Sequence, residues 1–222
     1  MPQTDLTLPA EIKLYYDLDI PEAASNPPLL IAVHGYGAHK GYMLREARKV
    51  VPDGWAVASL QGPHQHYRQG KDGGYRVGFG WLSDYKSEES VRLHHKFVLD
   101  VIEKLVNDGV ADREQIYLYG FSQACALNFR FALTYPDVLK GIVGVCGGIP
   151  GDLDSNPVYK PFDAECFYLF GDDDEFYTQE QFLGFDAKLK SLLPNYGSKH
   201  YAAKHEITEE MREDIAAFLR QF

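Results

Sequence analysis

Ser122 stands at the break of an otherwise apolar run, Ile116-Tyr117-Leu118-Tyr119-Gly120-Phe121-Ser122-Gln123-Ala124-Cys125-Ala126-Leu127, which then continues at helical spacing. A strand that turns sharply into a helix at such a point forms a nucleophile elbow, whose strained backbone exposes the serine hydroxyl at the carboxyl edge of a sheet. The turn needs small residues two before and two after the serine, here Gly120 and Ala124. Alanine replaces the second glycine of G-x-S-x-G, and its methyl group predicts a slightly tighter elbow. An ordinary strand–loop–helix joint with Ser122 as N-cap is the plainer alternative.

A serine hydroxyl is a weak nucleophile, so it needs a base within hydrogen-bond reach and a group that holds the base in the right tautomer. In a chain built on such an elbow the partners follow in the order serine, acid, histidine. Downstream of Ser122 the histidines are His200 and His205. His200 falls inside the predicted strand Lys199 to Lys204, whereas His205 follows its carboxyl end on the same sheet edge as Ser122. His205 is therefore the expected base. The acid is expected at the end of the strand Cys166 to Phe170, which runs into Gly171-Asp172-Asp173-Asp174-Glu175. Spacing leaves all three aspartates open. A cation loop of the EF-hand kind does not fit, because the alternating oxygen ligands, the glycine and the distant glutamate are missing.

These groups need a scaffold, and the chain alternates strand and helix patterns throughout. Leu29 to Val33 is a continuous apolar run, the mark of a strand covered on both faces, and ends in His34-Gly35-Tyr36-Gly37. Residues 11 to 18 read as an edge strand, Pro21 to Pro28 as a turn-rich loop, and Tyr42 to Val50 as a helix. Trp55 to Leu60 is a second buried strand. His64 and His66 beyond it lack a third clustered ligand, so no metal is expected. Arg68 to Leu82 reads as a long glycine- and aromatic-rich loop in which Phe79, Trp81 and Leu82 line a substrate pocket.

Ser87, with Glu88 and Glu89, is the predicted N-cap and first turn of a long helix ending at Asn107-Asp108-Gly109, with His94 and His95 as structural passengers. The helix after Ser122 runs to about Tyr135, and Gly141 to Cys146 is a further buried strand. Thr178-Gln179-Glu180-Gln181 is a capping box opening another helix. Thr208 to Phe222 closes the chain as a helix. Only about fifteen residues, Ile149 to Ala164, separate two strands where a lid could sit, and their Gly, Pro, Asp and Asn content suits a surface loop. The expected fold class is α/β, a mostly parallel central sheet with helices on both faces and no substantial lid, as one domain over residues 1–222.

At 45% hydrophobic content the chain can bury one sizeable core, and its formal net charge of −10 opposes binding to phosphate backbones. Nucleic acid is not an expected partner. The three cysteines, Cys125, Cys146 and Cys166, lie in apolar patterns as buried free thiols do, which points to a reducing, cytoplasmic setting. No basic-then-apolar leader opens the sequence and no run of about eighteen apolar residues occurs, so stable membrane insertion is not expected. A homodimer is compatible with the sequence.

The motifs resemble the carboxylesterase/phospholipase family of α/β-hydrolases, which includes acyl-protein thioesterases and small bacterial carboxylesterases. The resemblance runs from about Leu29 to the end and rests on His34-Gly35-Tyr36-Gly37, Gly120-Phe121-Ser122-Gln123, Gly171 followed by Asp174, and His205 before the final helix. It implies Asp174 as the acid, through the G-x-x-D spacing, and the backbone N–H groups of Tyr36 and Gln123 as an oxyanion hole. Ala124, and Phe170 where many relatives carry histidine, depart from the pattern without removing a reacting group. The implied chemistry is ester or thioester hydrolysis of a small molecule through an acyl-enzyme on Ser122, with no cofactor. The alternatives are a hydrolase-fold binding protein with little turnover, or a dienelactone-hydrolase or peptidase-like enzyme.

Overall fold

The computed structural model describes residues 2–22, 25–70 and 72–222. Met1, Ala23 and Ala24 of the Pro21–Pro28 loop, and Lys71 of the Arg68–Leu82 stretch lie outside the described residues. The elements in chain order are β1 (Tyr16–Asp19), β2 (Leu29–Val33), α1 (Lys40–Arg48), β3 (Ala56–Leu60), β4 (His64–Gln69), β5 (Tyr75–Gly80) and α2 (Ser87–Asn107). There follow β6 (Ile116–Phe121), α3 (Gln123–Thr134), β7 (Gly141–Val145), β8 (Glu165–Gly171), α4 (Gln179–Leu192), β9 (Tyr196–Tyr201) and α5 (Glu209–Leu219).

Seven strands form one sheet in the order β1-β3-β2-β6-β7-β8-β9, parallel except for β1, which runs antiparallel along β3. The apolar runs explain this arrangement, because successive residues of a strand point to opposite faces and both faces are covered. Leu29, Ile31, Val33, Ile116 and Leu118 pack into the layer that holds Val98, Ile102, Leu127 and Phe131 of α2 and α3 and Phe182 of α4. Their neighbours Leu30, Ala32, Tyr117 and Tyr119 face Met43 and Ala47 of α1 and Met211 and Ile215 of α5. The buried Glu46 carboxylate, which accepts from Arg212 Nε at 2.7 Å, ties α1 to α5 across that second layer.

The register brings the strand ends level: Val33 stands opposite Leu60 and Gly120, Phe121 opposite Val145, and Gly171 opposite Tyr201. Ser122, the three aspartates, His205 and the His34–Gly37 loop therefore meet along one edge. Residues 149–164 carry neither helix nor strand.

Three local expectations are corrected. The edge strand is shorter than residues 11–18 and covers only Tyr16–Asp19. Ser87 is the first residue of α2 and not its cap; Lys86, with φ of 53°, precedes it without a side-chain capping bond. The stretch Arg68 to Leu82 is no loop: β4 and β5 pair antiparallel as a hairpin apart from the main sheet, Tyr67 opposite Val77 and Arg68 opposite Arg76. Its strand period is hidden because most positions are solvent-exposed on both faces, so no apolar alternation is needed. Gly78 lets the hairpin lie against the β2–α1 loop, since a Cβ there would stand 3.0 Å from Gly37 Cα.

Candidate active site

β6 ends in a backbone that only a strongly constrained site holds: Ser122 has φ 56° and ψ −120°. Its amide donates to Val145 O at 2.8 Å, and its carbonyl accepts from Cys125 N at 2.9 Å. Ser122 stands at the N-cap position of α3, but its side chain makes no capping bond there. Room for the elbow comes from Gly120, where a Cβ would lie 3.3 Å from the methyl of fully buried Ala124. Ala124 is thus accommodated by the missing side chain of Gly120.

The hydroxyl meets an imidazole and a carboxylate in series. His205 Nε2 lies 2.8 Å from Ser122 Oγ, and His205 Nδ1 lies 2.7 Å from Asp174 Oδ2. Nδ1 carries the ring proton and donates it in a hydrogen bond to the carboxylate, so Nε2 accepts from the serine hydroxyl. The Asp174 side chain is wholly buried, and its Oδ1 accepts the amides of Phe176 at 2.8 Å and Tyr177 at 3.1 Å. Asp172 instead pairs with His200 at 2.9 Å and accepts from Gln179, away from Ser122, and exposed Asp173 engages Ala203 O through its own amide. The amide of His205 donates to Glu175 Oε2 at 3.0 Å, a contact that lowers the Glu175 pKa and that sequence reasoning missed.

The loop after β2 is built on a buried histidine. His34 Nε2 accepts Gly62 N–H at 2.9 Å, so Nδ1 carries the proton and donates to Gly35 O at 2.8 Å. Burial lowers the His34 pKa to about 4, which keeps the ring neutral in this role. Among the described residues no backbone acceptor takes the N–H of Tyr36 or of Gln123. Gln123 opens α3, where helix N–H groups and the dipole favour negative charge. Its side chain reaches the hairpin instead: Oε1 accepts Trp81 N–H at 2.9 Å and Nε2 donates to Leu82 O at 3.3 Å.

A cleft of about 470 Å³ opens over these groups, walled by Tyr36, Phe121, Phe176 and Tyr177 around Ser122 and His205. Phe121, Phe176 and Tyr177 stand 5.0, 4.6 and 6.5 Å from the His205 ring, centre to centre. Phe79, Trp81 and Leu82 do not line it. Trp81 is turned into the core at 1% exposure, its Nε1 donating to His34 O at 2.9 Å and its ring meeting His94 edge-on. Phe79 serves the loop through its backbone, accepting from Gly37 N at 2.8 Å, and Leu82 through its carbonyl to Gln123. Of the wall residues that replace them, Phe121 ends the elbow strand and Phe176 and Tyr177 follow the acid, positions that the spacing of motifs could have suggested.

His64 bonds Ser90 Oγ at 2.9 Å and His66 stacks on Tyr36 at 4.4 Å; among the described residues no group of three His, Cys, Asp or Glu could hold a metal. Burial pushes the Cys146 thiol up to about 12, with the Asp174 charge adding to it, and raises Cys125 as well. Neither thiol beside the elbow offers a thiolate. The arrangement as a whole can draw a proton from one hydroxyl, and the amides of Tyr36 and Gln123 near it have no backbone acceptor among the described residues.

A family model described as phospholipase/carboxylesterase matches residues 20–222. Acyl-protein thioesterase 1 of Eremothecium gossypii is 28% identical over 162 residues, 63% of this chain. The match spans 64% of the length of that curated relative. Among solved structures, the Bacillus cereus carboxylesterase superposes with a TM-score of 0.73 at 18% identity, covering 94% of both chains. Zea mays acyl-protein thioesterase 2 superposes with a TM-score of 0.70 at 13% identity over 93% of this chain and 98% of that one. At these identities the two structural likenesses are likenesses of fold. Among the described residues no helix is long and apolar enough to cross a membrane.

Proposed function

Because the chain belongs to the phospholipase/carboxylesterase family, we propose that it is a serine hydrolase that cleaves carboxylic esters or thioesters through an acyl-enzyme on Ser122. The observation that carries this reading is the unbroken series Ser122 Oγ, His205 Nε2, His205 Nδ1 and Asp174 Oδ2, with links of 2.8 and 2.7 Å.

His205 takes the hydroxyl proton as Oγ attacks the substrate carbonyl carbon, and buried Asp174 stabilises the imidazolium that results. The carbonyl oxygen gains a negative charge and accepts hydrogen bonds donated by the amides of Tyr36 and Gln123. The carbon–oxygen or carbon–sulfur bond then breaks as His205 returns the proton to the leaving group. Water repeats the sequence on the acyl-enzyme, releasing the acid and restoring Ser122. The apolar wall of Phe121, Phe176 and Tyr177 favours an acyl chain, which suits soluble short or medium acyl substrates. The buried free thiols Cys125, Cys146 and Cys166 support a reducing compartment, and hence the cytoplasm, as the place of action.

The test is labelling with a fluorophosphonate probe beside a panel of ester and thioester substrates. Wild-type protein should label at Ser122 and turn over members of the panel, and Ser122→Ala should lose both. Slow or absent labelling of the wild type, with ligand still bound in the cleft, would make this a binding protein.

A further inference from the structure

Beside the cleft lies a second depression of about 300 Å³. The two share Tyr36, Ala38, Phe121 and His205, but the second touches neither Ser122 nor Gln123. Its outer wall carries Arg45 of α1 and Arg68 of β4. The Arg68 stem crosses the loop after β2, its Cδ 3.7 Å from where a Cβ on Gly37 would stand.

These two guanidinium groups differ from the cations around them. Lys40 pairs with Asp17, Arg48 with Asp19, Lys49 with Glu46, and Arg76 with Asp72. Arg45 and Arg68 meet no carboxylate among the described residues. Glu206 is the carboxylate on the same wall, and it offsets one of the two charges. His39 adds none: its Nδ1 accepts Tyr42 N–H at 3.3 Å, and burial with the Arg45 and Arg68 charges lowers its pKa. Two guanidinium groups against one carboxylate on the wall of this depression stand out in a chain with a formal net charge of −10.

We propose that Arg45 and Arg68 form a subsite for an anionic group, carboxylate or phosphate, on the leaving-group arm of the substrate. This deepens the serine-hydrolase reading and rests on it. The arm is assigned by the proton path. His205 Nε2 hands its proton to the departing oxygen or sulfur, so the leaving group must lie on the His205 side of the carbonyl. The depression touches His205 and not the nucleophile or the elbow amide, whereas the apolar cleft surrounds both. Guanidinium forks match carboxylate and phosphate oxygens two at a time, which suits a recognition element at the solvent edge.

The experiment compares kcat/KM for four small esters in wild type and in the Arg45→Gln/Arg68→Gln double variant. They are 3-acetoxypropionate, its neutral N-methylamide, 2-acetoxyethyl phosphate, and monomethyl succinate, whose charge sits on the acyl arm. Wild type should prefer an anionic leaving arm over the neutral amide about tenfold, as two exposed charge contacts together support, and the ratio should fall to near one in the double variant. The carboxylate and phosphate esters then report which anion fits better. Equal rates on charged and neutral leaving arms in wild type, an unchanged ratio in the double variant, or a preference confined to monomethyl succinate would overturn the subsite. If wild type left all four esters intact, or Ser122→Ala cleaved them, the hydrolase reading would be the part that fails. Calorimetric titration with 3-hydroxypropionate then decides the subsite by itself: binding lost in the double variant upholds it, and binding absent or unchanged overturns it.

Discussion

His205 Nδ1 and Asp174 Oδ2 stand 2.7 Å apart around a carboxylate that is wholly buried and held by two backbone amides. Replacing Asp174 by Asn keeps the shape but removes the acceptor that fixes the imidazole tautomer. Steady-state kinetics of Asp174→Asn should show kcat lower by about 10³- to 10⁴-fold with KM little changed. Asp172→Asn should stay within a few-fold, because Asp172 faces His200. The reverse ranking would move the orienting role to Asp172.

Gln123 joins the elbow to the hairpin through its side chain, accepting from Trp81 N and donating to Leu82 O. Gln123→Ala leaves the elbow amide in place but frees that end of the hairpin. Hydrogen exchange should quicken over residues 75–82, with kcat/KM reduced by about tenfold, the scale of one or two lost hydrogen bonds. Unchanged exchange there would show that the tether is idle.

Trp81 belongs to the core, so Trp81→Ala should act on stability first. Denaturant titration should show a loss of about 3 to 5 kcal/mol, the usual scale for an aromatic side chain removed from a packed core. A change confined to KM would return Trp81 to the substrate wall.

Chain length should be read by the wall that Phe121, Phe176 and Tyr177 form. Each methylene that finds this wall contributes about 0.8 kcal/mol, roughly fourfold in kcat/KM, until the chain outruns the cleft. A series of p-nitrophenyl esters should therefore peak and then fall, and Phe176→Ala should shorten the preferred chain. A jump in rate only above the micellar threshold of a long-chain ester would instead reveal a lid.

Acid should destabilise the fold from about pH 6.5 downward. Burial lowers the pKa of His34 and His95 to about 4 and of His94 to about 3. In the unfolded chain these rings bind protons near pH 6.5. As pH falls below 6.5, the unfolded state gains protons that the folded state refuses, so stability drops down to about pH 4 and 3 and is unaffected above 6.5. Each ring contributes a slope of up to about 1.4 kcal/mol per pH unit. Urea titrations between pH 7.5 and 5 should show this decline, with a shallower slope in His94→Leu; equal slopes would reject it.

The sequence by itself determined the order of the main-sheet strands and the helices between them, the elbow at Ser122 and the placing of His205 beyond the last strand. Those features are local: continuous apolar runs mark strands buried on both faces, and the chemistry-bearing residues follow directly at strand ends. The capping box at Thr178 was legible for the same reason, since both of its bonds close within four residues. What the tertiary structure alone decided depends on partners far apart in the chain. Three consecutive aspartates look alike in sequence, and only the packing of β9 and of the segment after it gives Asp172 the imidazole of His200 and Asp174 that of His205. The hairpin could not be read because its strands find each other and the Gly37 loop without an apolar stripe to mark them. Trp81 could face the substrate or the core on composition alone, and it faces inward because His34 O, 47 residues upstream, takes its indole N–H.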